Sequence, residues 1–306
     1  MYNEDMIETS VVVCTRNRGN RVEKSIETIL KNQAASFEVI LIDQSTNDLT
    51  CAAIEPFLSD GRFRYIHSTT VGTGRSRNIG LRESKGEFVL FTDDDCSVPD
   101  NWVEVMTGIF KANDLIGMAF CNVLPGPFDP QSGFIPTYST KEAFTARSIK
   151  DKWRARGIGA GMGVRRECAL QIGGFDEMLG PGAKFPANEE GDLAVRMLLN
   201  GWYVHETKDV AVIHDGFRTW EQGKILAKRN WIGVGAAYAK PIKSGNWRFV
   251  STVLYEGFVN TLLRAVAPVV RLRKPRGFRS FFYFWYGFFL GFQVPVESQS
   301  LLFSRE

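Results

Sequence analysis

The chain has 306 residues, 44% of them hydrophobic and 23% charged, which is ordinary for a folded protein and enough for one large α/β domain with an appendage or two modest domains. The net charge of +3 is unevenly placed, with −3 on the first 240 residues and +6 on residues 241–306, so an acidic front is joined to a basic tail. Five cysteines with no CxxC pair argue against a disulfide framework or a zinc site and fit a reducing cytosol, and the polar start MYNEDMIETS reads as neither a signal nor a transit peptide.

Residues 10–14 (SVVVC) predict a buried strand that ends in the turn-like TRNRGN. Val22, Ile26, Ile29 and Leu30 then recur at helical spacing. Residues 37–42 (FEVILI) predict a second strand ending at Asp43, and residues 63–67 a third. Residues 74–84 read as a helix with Ile79 and Leu81 on its apolar side, and residues 88–91 as a fourth strand. A helix over 100–113 follows, with Asp100 as its expected cap. Alternating strands and helices imply a mainly parallel sheet covered by helices on both faces. Such sheets bind ligands at the C-terminal ends of their strands, which singles out residues 15–18, 43–47 and 93–95.

The pattern changes after about residue 120. Residues 125–136 read as a loop and residues 157–164 (GIGAGMGV) as a small, flexible stretch. A short helix is expected over 165–171, another over 189–200, and a strand over 210–213 that closes on His214.

Asp93, Asp94 and Asp95 follow the greasy run FVLF directly. Three carboxylates there suit either a solvated turn or a divalent cation, since hard cations take oxygen ligands together with substrate phosphates. Asp43 suits either a turn or a hydrogen bond to a base or ribose. Thr15 and Arg16 end the first strand within reach of the same crevice, and Arg75, Arg77 and Asn78 share one helix. Arginines beside such a site hold or orient acidic groups.

The ordered series VVVCTRNR, VILIDQSTND, GTGRSRNIG and GEFVLFTDDDC, continued by GVRRECALQIGGFDE, NEEGDLAVRMLLNGW and AVIH, resembles a family 2 glycosyltransferase of the GT-A fold over about residues 9–215. The resemblance implies a Rossmann-like, nucleotide-diphospho-sugar transferase sheet. It implies a catalytic domain over 1–219, with a nucleotide half at about 9–123 and an acceptor and base half at about 124–219. It also implies an inverting transfer from a UDP- or dTDP-sugar to an acceptor hydroxyl, in cell-surface polysaccharide or glycolipid synthesis, with Mg2+ or Mn2+.

By position, Thr15 and Asp43 match donor-nucleotide contacts, with Arg16 beside them. Asp93–Asp95 match the DxD element: Asp95 as metal ligand, Asp93 near ribose and sugar, and Asp94 without a distinct role. Arg77 matches an arginine that supports the aspartates or the donor, and His214 one that completes the metal site in some members. The base falls on Glu190, where an aspartate is commoner, with Asp192 in reserve. A sugar-1-phosphate nucleotidyltransferase is the enzymatic rival, but CTRNRGN is not its glycine-rich signature. A non-catalytic scaffold of the same fold is the other alternative, and nucleic acid is not an expected partner.

Residues 220–306 form a helical, basic and aromatic extension. Arg271, Arg273, Lys274, Arg276 and Arg279 precede FFYFWYGFFLGFQVPV, a run shorter than a membrane-spanning helix. It suits packing on the core, a dimer surface, or contact of residues 249–296 with the inner face of an anionic membrane beside a lipid-linked acceptor; the oligomeric state is open.

Overall fold

A computed structural model describes residues 7–34, 36–263, 266 and 277–304. Arg264, Arg271, Arg273, Lys274 and Arg276 lie outside the described residues. The first half of the sheet is parallel, in the order β3-β2-β1-β4: β1 (Thr9–Thr15), β2 (Phe37–Asp43), β3 (Phe63–His67) and β4 (Phe88–Asp93). Its valine- and isoleucine-rich strands are buried on both faces, which is why they read as continuous apolar runs. Alternate residues separate into two cores. Val11, Val13, Val39 and Leu41 meet helices α1 (Arg21–Leu30) and α4 (Trp102–Ala112). Val12, Ile40 and Ile42 face the other side, with α3 (Thr73–Glu83) and α6 (Glu189–Leu199).

Beyond β4 the sheet continues through β9 (Met162–Arg165), β6 (Ile116–Pro125), β10 (Tyr203–His214) and β5 (Cys96–Ser97), with β8 (Phe144–Ala146) also paired to β10. β9 runs antiparallel to both its neighbours, whereas β6 and β10 are parallel. Three readings need correction here. The stretch 157–164 is not a flexible segment but a buried turn leading into β9; a Cβ on Gly159 would lie 2.8 Å from Arg77 Nη1, so glycine makes room for that side chain. The strand before His214 starts at Tyr203, not Val210. Asp100 is exposed and caps nothing, the cap position belonging to Asn101 without a side-chain bond.

The C-terminal part is helical. α7 (Trp220–Lys243) begins with a capping box in which Thr219 and Gln222 satisfy each other's backbone N–H groups. α8 (Val250–Leu254) runs on as a π-helical segment, Tyr255–Leu263, and α9 (Arg279–Gln293) follows. α7 and α9 run parallel: Lys228 sits over the Tyr283 ring, Gly287 against Ile232, and Gly291 against Ala236. The spacing of Gly287 and Gly291 gives α9 a flat face on which the two backbones approach closely. The last described residues return to the core, where Val296 bridges to Phe303 and the Phe303 ring lies 5.1 Å from Phe185.

Candidate active site

A cavity of about 920 Å³ opens at the C-terminal ends of β1 and β4. Thr15, Arg16, Arg18 and Asp93–Asp95 line one side, and His214 and Arg218 line another. The start of α6, residues 188–191, and one face of α7 close much of the remainder.

The three aspartates have different surroundings. Asp93 is half-exposed at the end of β4 and lies 3.5 Å from Arg77 Nη2. Asp94 turns inward, where it accepts a 2.6 Å hydrogen bond from Thr15 Oγ1. Burial pushes its carboxyl up to about 6, against the Thr15 bond and the Arg18 charge. Asp95 lies 3.2 Å from His214 Nε2 and 3.3 Å from Arg18 Nη2. Burial alone would raise its pKa, but the His214 bond and the His214 and Arg18 charges outweigh it and hold the carboxyl below its ordinary range.

His214 reaches Asp95 because β5, immediately after the aspartates, pairs antiparallel with the end of β10 and sets Cys96 opposite His214. The imidazole Nδ1 lies 2.8 Å from the Pro136 carbonyl. A carbonyl only accepts, so Nδ1 carries the proton and Nε2 is the nitrogen turned towards the carboxylates. Burial opposes the charged imidazole, yet the Asp95 bond and the Pro136 carbonyl raise its pKa overall. Ligand atoms of Asp93, Asp95, Cys96 and His214 lie within 4.8 Å of one another, close enough to hold one metal ion. Burial and the charges of Asp93 and Asp95 drive the pKa of the Cys96 thiol far up. The two carboxylates and the imidazole supply oxygen and nitrogen donors of the kind Mn2+ and Mg2+ take.

Across the cavity, Arg77 Nη1 lies 3.0 Å from Glu189, and its guanidinium lies over the Phe175 ring. Burial and the adjacent Glu190 push the Glu189 carboxyl up to about 7, with Arg77 pulling the other way. Glu190 lines the cavity and has neither a hydrogen bond nor an ion pair among the described residues. Asp192 does not reach the cavity wall. It is buried between Lys240, at 2.6 Å, and Arg196, at 2.8 Å. Asp43 also stays off the wall: its oxygens accept from the Ser45 N–H at 2.8 Å and from the Tyr65 hydroxyl at 3.0 Å. Arg16 is exposed at the cavity edge.

Sequence reasoning leaves out several cavity residues. Arg18 was legible only as part of a strand-end turn. Lys152 and Arg156 sit in a stretch with no motif, yet both line the cavity. Lys152 donates to the Ala155 carbonyl at 2.8 Å, and burial, helped by the Arg156 charge, pushes its amine down to about 8. Leu226, Asn230, Trp231, Val234 and Tyr238 form the lining face of α7. Their three- and four-residue spacing was present in the sequence and would have found them.

The family described as glycosyl transferase family 2 matches residues 10–171. Glycosyltransferase GlyG of Streptococcus pneumoniae is 31% identical over 99 residues, covering 32% of this chain and 33% of that protein. An uncharacterized glycosyltransferase of Haemophilus influenzae is 27% identical over 181 residues, 56% of this chain and 57% of its own. One from Rickettsia bellii is 33% identical over 110 residues, 36% of this chain but only 16% of its own length. The chain thus spans between a sixth and somewhat over half of these relatives. Among solved structures, a mannosyltransferase from Pyrobaculum calidifontis in complex with GDP-Man and Mn2+ superposes with a TM-score of 0.65 at 16% identity, covering 94% of this chain and 86% of that one. TarS of S. aureus in complex with UDP-GlcNAc gives 0.58 at 16% identity, covering 76% and 66%. The shared architecture is the GT-A fold.

Proposed function

The chain belongs to glycosyl transferase family 2, and from that premise we propose that it moves a sugar from a nucleoside-diphosphate sugar to an acceptor hydroxyl, inverting the anomeric centre. One observation carries the reading: a carboxylate–imidazole cluster and an unpaired glutamate line the same cavity. Direct displacement needs these two features, a stabiliser for the departing diphosphate and a base for the incoming hydroxyl.

Asp95 and His214, with Asp93, would hold a Mn2+ or Mg2+ ion. That ion supplies positive charge to the leaving diphosphate. The protein's own cations support the same charge: Arg18 and Arg218 line the cavity beside Asp95. Asp94 serves the wall and not the ligand, fixing Thr15 through its hydrogen bond. Asp43 acts at one remove, holding the Ser45 N–H and the Tyr65 hydroxyl at the end of the nucleotide crevice. Arg77 joins the two halves by reaching both Asp93 and Glu189.

Glu190 is the base. It faces the cavity with no hydrogen bond or ion pair among the described residues, feeling Arg77 and Lys152 only through their charge, whereas Asp192 is committed to two cations. Glu189 is tied to Arg77 and buried, so it keeps the arginine in place. The acceptor enters along α7, where Trp231 and Val234 offer apolar surface and Asn230 offers polar contacts.

Membrane contact through residues 249–296 belongs to the same proposal. No described helix is long and apolar enough to cross a membrane. Yet α9 turns Phe282, Tyr286 and Phe289 outward, each more than half exposed at 56%, 56% and 59%. Such a ridge, with Arg279 and the basic stretch 271–276 beside it in sequence, fits the inner face of an anionic bilayer.

The test is a thermal-shift screen of UDP, GDP and dTDP with Mn2+, followed by turnover of the matching sugar donors. A nucleotide that stabilises only with the cation, and turnover that stops in excess chelator, support the reading. Full turnover in chelator would end the metal role.

A further inference from the structure

The reading of Glu190 as base leaves open what fixes its direction. The first turn of α6 lacks a side-chain cap, and Glu189 within it is held by Arg77 at 3.0 Å. Its N-cap residue, Asn188, is in the left-handed region at φ 74° and makes no side-chain cap bond. Its Nδ2 is buried with no hydrogen-bond partner.

An anchor exists on the other side of the same turn. Residues two apart on a helix point about 200° from one another, so Glu190 faces the cavity while Asp192 faces the core. There the fully buried Lys240 of α7 places its Nζ 2.6 Å from Asp192 Oδ1 and 2.6 Å from Asp176 Oδ2. Asp192 Oδ2 accepts from Arg196 Nε at 2.8 Å. Arg196 in turn donates to the carbonyls of Ile172, at 2.8 Å, and Gly174, at 2.5 Å. Asp176 also accepts the Met178 N–H at 2.9 Å and, from the returning C-terminal segment, the Phe303 N–H at 2.8 Å. The Phe303 ring centroid lies 4.8 Å from Lys240 Nζ. Two cations and two carboxylates therefore balance within the buried core.

We propose that Lys240 is a positioning residue for catalysis: by gripping Asp192 and Asp176 together it sets the rotation of α6, and with it the aim of Glu190 into the cavity. The C-terminal segment through Phe303 completes that grip, so α7 and the chain's last described residues act on the chemistry without touching substrate. The inference rests on Glu190 being the base. It goes beyond that reading by assigning a role to residues outside the part of the chain that the family match covers.

Removing Lys240 alone leaves two buried carboxylates short of a cation and would endanger folding. The informative variant is therefore Lys240→Met combined with Asp176→Asn, which keeps the Asp192–Arg196 pair balanced and uncouples it from α7. Binding of UDP, GDP or dTDP with Mn2+, whichever the wild type binds, is measured beside donor turnover, read as nucleoside diphosphate release. The expected result is nucleotide affinity within about twofold of wild type and turnover lowered about 100-fold, the scale of a base misplaced by an ångström. Wild-type turnover, or a parallel loss of nucleotide affinity, would overturn the proposal. Glu190→Gln is measured alongside. If it is inactive while the double variant turns over normally, only the positioning role fails. If it remains active, the base assignment fails and the positioning role falls with it.

Discussion

Two glycine-to-alanine substitutions, both inside helices, should change stability in opposite directions. Alanine is preferred over glycine in a helix by about 0.8–1.0 kcal/mol. At Gly108 in α4 a Cβ meets nothing within 4 Å, so Gly108→Ala should gain roughly that amount, about 1 kcal/mol. At Gly287 in α9 the same Cβ would lie 2.7 Å from Ile232 Cα and 2.8 Å from its carbonyl carbon, with the carbonyl oxygen closer still. Carbon atoms in ordinary contact stand about 3.5–4.0 Å apart, so α7 and α9 must separate by about 1 Å. All three obstructing atoms are backbone, so no rotamer change relieves them. Overpacking of this kind costs about 1–3 kcal/mol. Set against a helix-propensity gain of about 1 kcal/mol, Gly287→Ala should lose up to about 2 kcal/mol. Urea denaturation followed by far-UV circular dichroism reads both from the shift in midpoint at constant slope. If Gly287→Ala is as stabilising as Gly108→Ala, the glycine face does not seat α9 on α7, and the argument for their close approach fails.

Three further outcomes follow from the site and the outer helices. The Lys152 amine is pushed down to about 8 by burial and then by Arg156, below its unfolded value near 10.5, so between those pH values the unfolded chain binds the extra proton and wild type should gain stability with rising pH relative to Lys152→Met; a pH-independent difference would contradict the buried placement. His214→Ala should raise the Mn2+ concentration for half-maximal donor turnover by at least about 10-fold, a size already seen for groups one shell further out; an unchanged Mn2+ dependence would remove His214 from the metal site. Replacing both Phe282 and Phe289 by aspartate should weaken binding to phosphatidylglycerol vesicles about 100-fold, since each ring contributes roughly 1.5 kcal/mol or more when buried, and vesicle binding equal to wild type would refute the membrane-facing ridge.

Much of the parallel part of the sheet was legible because its signals are local. Short β-branched runs ending in polar turns and alternating with helical segments favour buried parallel strands, and β1 to β4 lie within two residues of their expected ends. β6 was equally apolar and has a tight turn before it, closed by the Ile116 N–H on the Asn113 carbonyl at 3.0 Å, yet it went unread. β9 was hidden by its glycines, which suggested freedom of movement. The structure uses them to admit Arg77 and neighbouring core side chains. The meeting of Asp95 and His214 has no local signal at all, since it depends on a two-residue strand pairing with the far end of β10. Asp43 shows the limit of motif position: sitting at a strand end did not place its side chain on the cavity wall. Asp192 and Lys240 lie 48 positions apart in the sequence, and only the tertiary packing of α6 on α7 makes them partners.

Glu190, as the proposed base, is the residue on which transfer should depend most. The direct test is turnover of the donor that wild type accepts, compared between wild type and Glu190→Gln, with nucleotide–Mn2+ affinity measured on the same samples. Loss of a positioned general base predicts turnover reduced by about 10²–10⁴-fold, with nucleotide affinity preserved because Asp93, Asp95 and His214 are untouched. A Glu190→Gln protein that binds nucleotide and still turns over its donor at the wild-type rate would contradict that role.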